Sequence, residues 1–162
     1  MQVRVPRIAM PWSLLLVLLL AGCTDDSPAT PEDEIRALIE RAVEMAEKRD
    51  SNALMRMVGE PFSGPRGLSH ETLQSTLKLY FFRHRNIHLF SKIDSIILHG
   101  ANDASVGLFV AMAGSAISDQ SVLGSLRARI YRFDLTLHKS QDWRVTEATW
   151  QPANLADVQA TY

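Results

Sequence analysis

Residues 126–150 run LRARIYRFDLTLHKSQDWRVTEATW, and this stretch decides the fold. Apolar side chains occupy every second position from Tyr131 to Leu137, and polar ones lie between them, which is the period of a strand with one buried face. Residues 139–142 (KSQD) interrupt the alternation as a turn does, and the chain up to Trp150 resumes an extended pattern. The stretch therefore predicts an antiparallel hairpin.

Helices come before this hairpin and two further strands lead into it. Helical spacing predicts an amphipathic helix from Pro31, with Thr30 as its cap, a short second helix that begins at Asp50 or Ser51 and stops at Gly59, and a third from Ser69 through Arg85. Alternation predicts strands over 86–98 and 105–112. The segment 59–67 holds three glycines and two prolines, which predicts a loop. Helices followed by antiparallel strands predict an α+β domain with helices on one face of a sheet of about four strands.

The N-terminus has the features of an export signal. Met1–Arg7 carries two basic groups, and the uncharged stretch 8–22 has only 15 residues, whereas a membrane-spanning helix takes about 20. Leu20-Ala21-Gly22-Cys23 resembles the bacterial lipobox, which implies cleavage before Cys23 and lipid attached to its thiol. We therefore predict a cleaved lipoprotein signal peptide over 1–22, a lipidated tether over 23–30 and one domain over 31–162. An ordinary secretory peptide is the alternative.

Lipid on Cys23 implies attachment to a membrane of the bacterial envelope. Thr24 after the cysteine favours the outer membrane, facing the periplasm, although Asp25 and Asp26 act as retention signals in some bacteria. Cleavage leaves 15 basic against 18 acidic residues, because Arg4 and Arg7 are removed from the 17 and 18 of the precursor. This balance and export both argue against a nucleic-acid partner.

The chain resembles the nuclear transport factor 2-like superfamily across nearly all of residues 31–151. The matching features are the helix end and short helix within AEKRDSNAL (46–54) and the closing hairpin with DWRV (142–145). The resemblance implies a curved, cone-shaped sheet around helices with a pocket inside. It also implies dimerisation through the outer sheet face, which the sequence does not test. Members include isomerases, dehydratases, ligand binders and interaction domains, so the fold alone selects no function.

Five aromatic and imidazole side chains are the candidates to line such a pocket: Tyr80, His84, His88, Tyr131 and Phe133. His84 continues the apolar stripe of the third helix and is therefore a candidate general base or ligand anchor. A rim or core histidine without a role is the simpler interpretation. Tyr131 and Tyr80 are candidates to hold an oxyanion, but neither has an obvious acidic companion. Asp134 lies on the opposite strand face and is predicted to pair with Arg132 or with a neighbouring strand.

Other chemistry has little support in the sequence. His84 and His88 have the spacing of a metal pair on a helix, but alternation begins at Asn86 and no third ligand lies nearby, so no metal site and no cofactor is predicted. The guanidinium groups of Arg83 and Arg85 are candidates to bind an anion. The alternative is that both side chains are exposed to solvent and bind nothing. The long connection 113–125 is predicted either to close the cone mouth with Ile117, Val122 and Leu123 or to be a plain packed loop.

These observations predict an envelope lipoprotein whose domain is a non-catalytic binding or accessory module for a protein partner or a small apolar ligand. No catalytic residue is assigned. The alternative is a small-molecule isomerase or dehydratase whose pocket is lined by Tyr80, His84 and Tyr131.

Overall fold

The computed structural model describes Gln2, residues 29–123 and residues 128–160. Apart from Gln2, the predicted signal peptide lies outside the described residues, as do Cys23 and most of the tether. The elements, in chain order, are α1 (Pro31–Glu47), α2 (Ser51–Arg56), β1 (Val58–Ser63), α3 (His70–Arg83), β2 (His88–Leu98), β3 (Asp103–Ala113), β4 (Arg129–Lys139), β5 (Trp143–Ala153) and α4 (Leu155–Gln159). Short 3-10 turns occupy Pro65–Gly67 and Gln120–Val122.

The strands form one open, curved sheet in the order β1-β5-β4-β3-β2. The pairs β2–β3, β3–β4 and β4–β5 are antiparallel, and β1 lies parallel to β5 at one edge. The register shifts between Ile93 and Ser95 in β2 and between Thr136 and Leu137 in β4, and such bulges bend a sheet. The predicted α+β class is confirmed, with five strands in place of about four.

Helix α1 covers the concave face of the sheet. Thr30 caps it, because the backbone N–H of Asp33 donates to the Thr30 hydroxyl over 3.2 Å while the Asp33 carboxylate accepts from the backbone N–H of Thr30 over 3.1 Å. Apolar residues on one stripe of the helix then pack on alternate residues of β3 and β4 and on the start of β5. This core consists of Ile35, Leu38, Ile39, Ala104, Val106, Leu108, Leu137 and Trp143.

The additional strand lies in the segment predicted as a loop. Helix α2 ends at Arg56, earlier than the expected Gly59, and β1 follows at once over Val58–Ser63. Gly59 and Pro61 would break a central strand, but an edge strand tolerates proline, and β1 is at the edge. Gly59 also fits the close approach to β5, since a Cβ there would lie 3.2 Å from Thr146 Cγ2. The loop prediction was therefore wrong for residues 59–63, while the chain does turn over Pro65–Gly67.

The outer face of the sheet is covered at one end only. Helix α4, which the sequence patterns did not indicate, packs there on alternate residues of β3 and β4, together with the described residues Ile117, Leu123 and Ala128 of the connection before β4. This second cluster consists of Phe109, Ala111, Leu123, Ile130 and Val158, with Ile117 packed beside it. Leu123 and Ile117 therefore do not close the mouth of the cone, because they lie on the opposite side of the sheet.

Arg132 is held in place at the border of this covered region. Its guanidinium pairs with Asp94 at 2.5 Å and with Asp134 at 3.3 Å, and it lies 5.0 Å from the ring centre of Phe109. Burial opposes the charge, but these two carboxylates outweigh burial and raise the pKa of Arg132. Gly107 makes room for the group, since a Cβ there would lie 2.5 Å from an Arg132 nitrogen. The predicted pairing of Asp134 with Arg132 is confirmed.

Candidate functional site

A cleft of about 300 Å³ opens where α3 ends; we call it the α3 cleft. The end of β3, the beginning of β4 and the residues just before β2 meet there. Ile87, which is buried, contributes to the lining beneath the more exposed side chains. The lining residues are Tyr80, His84, Asn86, Ile87, Met112, Ala113, Gly114, Arg129 and Tyr131. The volume lies at the lower end of the range for small-ligand pockets.

Tyr80 forms the helical wall of this cleft. Its hydroxyl donates to Met112 Sδ over 3.7 Å, and its ring centre lies 4.3 Å from that of His84 with 34° between the planes. His84 is the residue at which α3 ends, and its extended backbone turns the chain toward β2. Stacked aromatic and imidazole rings beside a thioether make a flat, polarisable wall that suits a planar apolar ligand.

The charge of the α3 cleft is one-sided. Arg129 and His84 line it, and no carboxylate is among the described residues that do so. Three acids of the central strands lie elsewhere: Asp94 pairs with Arg132, and Asp134 and Glu147 line a shallow depression on the outer face. His84 therefore has no carboxylate among the described lining residues to fix its ring orientation, as a paired catalytic histidine has. The arrangement favours binding of an anionic group.

The structure brings three of the five candidate pocket residues together and leaves two outside. Tyr80, His84 and Tyr131 line the α3 cleft. His88 begins β2 opposite Ala113 and alternates onto the same strand face as Phe90, which belongs to the outer cluster. Phe133 packs against the core, with its ring 5.8 Å from that of Trp150.

Arg129 is the functional candidate that the sequence patterns missed. It lies two residues before Tyr131 and therefore on the same strand face. A cation at the start of the strand face whose next four positions, 131 to 137, are aromatic or apolar was the available signal. Arg83 and Arg85, which were candidates to grip an anion, are exposed and outside the cleft lining. Leu79 and Phe82 on α3 are also exposed, Phe82 by 83%.

A larger cleft of about 650 Å³ lies beside the β4–β5 turn, at the end of α1 that is farther from the α3 cleft. We call it the hairpin cleft. Within it the Glu34 carboxylate accepts hydrogen bonds from the Lys139 ammonium and from the Trp143 indole, the latter over 2.9 Å. The hydrogen bond from Lys139 is the main cause that lowers the pKa of Glu34, against a smaller opposing effect of burial. This network ties the first turn of α1 to the hairpin.

Two further findings concern only residues 29–123 and 128–160 together with Gln2. No helix among them is both long and apolar enough to cross a bilayer. No three histidine, cysteine, aspartate or glutamate side chains among them gather as a metal site would require.

Known proteins match this chain in structure but not in sequence. No protein-family model matches the sequence, and no curated protein matches it either. Solved structures do match. A putative scytalone dehydratase from Novosphingobium aromaticivorans is 12% identical, with 76% of this chain and 84% of that one covered and a TM-score of 0.63. A nuclear transport factor 2-like protein of unknown function from Shewanella oneidensis is 17% identical, with 75% and 98% covered and a TM-score of 0.56.

A third match shows that the fold also occurs within a longer chain. Bd1075 from Bdellovibrio bacteriovorus is 15% identical with a TM-score of 0.60, and the alignment covers 75% of this chain but only 40% of that protein. Identities at this level establish similarity of fold and not of activity. Together with the helices and the open, curved sheet described above, they show that this domain has the nuclear transport factor 2-like cone fold.

Proposed function

We propose that this chain is a lipid-anchored protein of the bacterial envelope whose domain binds, without catalysis, a small ligand with an apolar body and an anionic group. The observation that carries the proposal is the α3 cleft, where Tyr80, Tyr131 and Met112 offer apolar and aromatic surface and Arg129 a cation. An envelope protein is the second class of partner, because Leu79 and Phe82 are exposed on α3 at the same end of the domain.

The anchor rests on the sequence Leu20-Ala21-Gly22-Cys23 and the signal features before it. Two or more acyl chains hold a protein stably on a membrane, while one is marginal. Mass spectrometry of the protein isolated from bacterial membranes tests this part. We expect an N-terminal peptide that begins at Cys23 and carries a diacylglycerol, and loss of membrane attachment in Cys23→Ala. An unmodified Cys23 in the mature protein would contradict the anchor.

The ligand chemistry follows from the cation and the aromatic rings that line the α3 cleft. No ion pair of Arg129 occurs among the described residues, so its charge is available to a carboxylate or sulfonate, with which a guanidinium forms bidentate hydrogen bonds. The rings of Tyr80 and Tyr131 suit a flat apolar body. A cleft of about 300 Å³ accommodates a ligand of one or two fused rings rather than a larger one.

Three naphthalene probes of equal size test this proposal: 2-naphthoate, 2-naphthylmethanol and 2-naphthylmethylammonium. Each is titrated into the full chain in neutral detergent, with a detergent blank subtracted. We expect the anion to bind about tenfold more tightly than the neutral probe and the cation to bind most weakly. Arg129→Gln should remove the preference for the anion, while Tyr131→Ala should weaken all three probes.

Arg36→Gln serves as the matched control, because Arg36 is an exposed arginine on α1 that does not line the α3 cleft. It should leave the order of the probes unchanged. Equal binding of all three probes to the unmodified chain, or an anion preference that survives Arg129→Gln, would contradict the proposed site.

An isomerase or dehydratase activity is the alternative, favoured by His84 in the cleft and by the name of the Novosphingobium match. Such an enzyme would use His84 as its base without help from a lining carboxylate. Scytalone is a direct probe, and we expect no turnover by the full chain above the buffer rate. Turnover that His84→Gln abolishes, while naphthoate binding persists, would replace the binding proposal with the catalytic one.

A further inference from the structure

The hairpin cleft has an apolar floor with charged groups around it. Leu38 and Trp143, both almost fully buried, and the half-buried Met57 contribute to its lining. One wall is a stripe of α1, because residues 34, 37, 38 and 41 recur at the three- and four-residue spacing of one helix face. The end of α2 forms another part of the wall, and Arg56 is there.

Three of the six charged groups that line this cleft have partners among the described residues. Asp33 binds Thr30 in the helix cap, and Glu34 binds both Lys139 and Trp143. Neither Arg41 nor Arg56 forms an ion pair with any described residue, and both are exposed. Asp142 is the remaining acid in the lining. Two guanidinium groups that share one cleft therefore have free hydrogen-bond donors.

We propose that Arg41 and Arg56 bind the phosphate of a phospholipid headgroup in the hairpin cleft and thereby orient the domain on the membrane. Guanidinium pairs match the geometry and charge of phosphate. The membrane position rests on the anchor of the proposed function, because Ala29 lines this cleft and lies only six residues after Cys23. Six residues span at most about 20 Å, so an anchor at Cys23 would hold the cleft near the headgroup layer.

The position of α1 explains why only this end would face the bilayer. Its first turn binds the hairpin, and at its last turn Glu47 accepts from the backbone N–H of Leu89 over 2.8 Å, beside the beginning of β2. The 17 residues of α1 span about 25 Å. With the hairpin cleft on the membrane, the α3 cleft would point away from it and remain accessible to its own ligand.

A soluble short-chain lipid tests the proposal on the full chain in neutral detergent. Dihexanoyl-phosphatidylglycerol is titrated while the indole N–H of Trp143 is followed by nitrogen-15 NMR. We expect a saturable shift, and binding about tenfold weaker in the double variant Arg41→Gln/Arg56→Gln, since two charge-assisted contacts are lost. The matched control is Arg83→Gln/Arg85→Gln, which removes two exposed arginines at the other end of the domain and should leave lipid binding unchanged.

Two further titrations identify the source of the phosphate. Glycerol 1-phosphate and inorganic phosphate are each added alone. Much weaker binding of both than of the lipid supports a headgroup site, whereas equal binding of inorganic phosphate would overturn the membrane role. Lipid binding that is unaffected by Arg41→Gln/Arg56→Gln would overturn the site. The naphthoate titration of the α3 cleft does not depend on these arginines, so each proposal fails or stands by itself.

Discussion

Along the concave face of β4, the position under α1 is filled by packing and the position at the α3 cleft is open; we call these the filled end and the open end of the strand. The hairpin cleft lies beside the filled end, between α1, the end of α2 and the β4–β5 turn. Leu137, near the hairpin, is fully buried under α1, while Tyr131, six residues earlier on the same strand face, is only half-buried and lines the α3 cleft. Helix α1 lays a stripe of buried residues on the sheet, whereas Phe81 is the one buried residue of α3. A single strand thus serves stability at one end and leaves room for a ligand at the other.

Shortening a side chain to alanine should lower the free energy of unfolding more at the filled end of β4 than at its open end. This difference is the largest effect we expect. Leu137→Ala leaves a sealed cavity under α1 and should lower the free energy of unfolding by about 2–5 kcal/mol. Tyr131→Ala merely widens an open cleft and removes no hydrogen bond seen among the described residues, so it should cost less than about 1.5 kcal/mol. Urea denaturation of both variants measures the difference. Equal losses would mean that the α3 end is as tightly packed as the hairpin end.

The outer face of the sheet is likewise covered in one part and exposed to solvent in another, and Arg132 lies at the border between the two parts. Gly107→Ala places a methyl group 2.5 Å from the Arg132 guanidinium and 2.9 Å from Ser95 Oγ. We expect a loss of about 1–3 kcal/mol in the free energy of unfolding, as for other overpacked sites.

A double-mutant cycle tests whether the clash with Arg132, rather than a general sensitivity of strand β3 to substitution, causes this loss of stability. In the Arg132→Ala background the same Gly107→Ala change should cost distinctly less, because the group that it displaces is gone. The same cost in both backgrounds would show that Ser95 or the backbone, rather than Arg132, sets the requirement for glycine. Thermal or urea unfolding of the four proteins provides the measurement.

The filled end could be predicted from the sequence better than the open end. The strict alternation that ends at Leu137 and the helical stripe through Ile35 both report burial directly, because buried positions must be apolar and must recur with the period of the element. The hairpin and the order of helices and strands followed from these patterns. The edge strand β1 did not, because Gly59 and Pro61 have the composition of a loop and only parallel pairing with β5 makes them a strand.

The α3 cleft could be predicted only in part for a related reason. Tyr80, His84 and Tyr131 belong to apolar stripes, so their proximity follows from the fold. His88 and Phe133 belong to equally apolar patterns, yet strand pairing turns the first to the outer face and the second packs against the core beside Trp150. Which members of a stripe line a void depends on tertiary contacts that periodicity does not encode.

The smallest effect concerns charge at the filled end, where Glu34 joins α1 to the hairpin through Lys139 and Trp143. Its pKa in the folded protein is lowered, chiefly by the hydrogen bond from Lys139. A lowered pKa means that the folded state favours the charged carboxylate, so the contribution to stability is complete above the unfolded pKa of about 4.5 and is lost as pH falls through the folded value. Glu34→Gln removes this contribution at neutral pH.

The unmodified chain should therefore be more stable than Glu34→Gln at pH 7, and the difference should shrink as pH falls below about 4.5. Urea denaturation of both proteins between about pH 3 and pH 7 tests this expectation. Arg129→Gln is the matched comparison at the open end, where the cation has no described carboxylate to bind, so its stability difference from the unmodified chain should not follow pH in this range. A Glu34→Gln difference that stays constant down to pH 3 would mean that the ion pair with Lys139 adds no stability, and that apolar packing and the Trp143 hydrogen bond hold α1 against the hairpin.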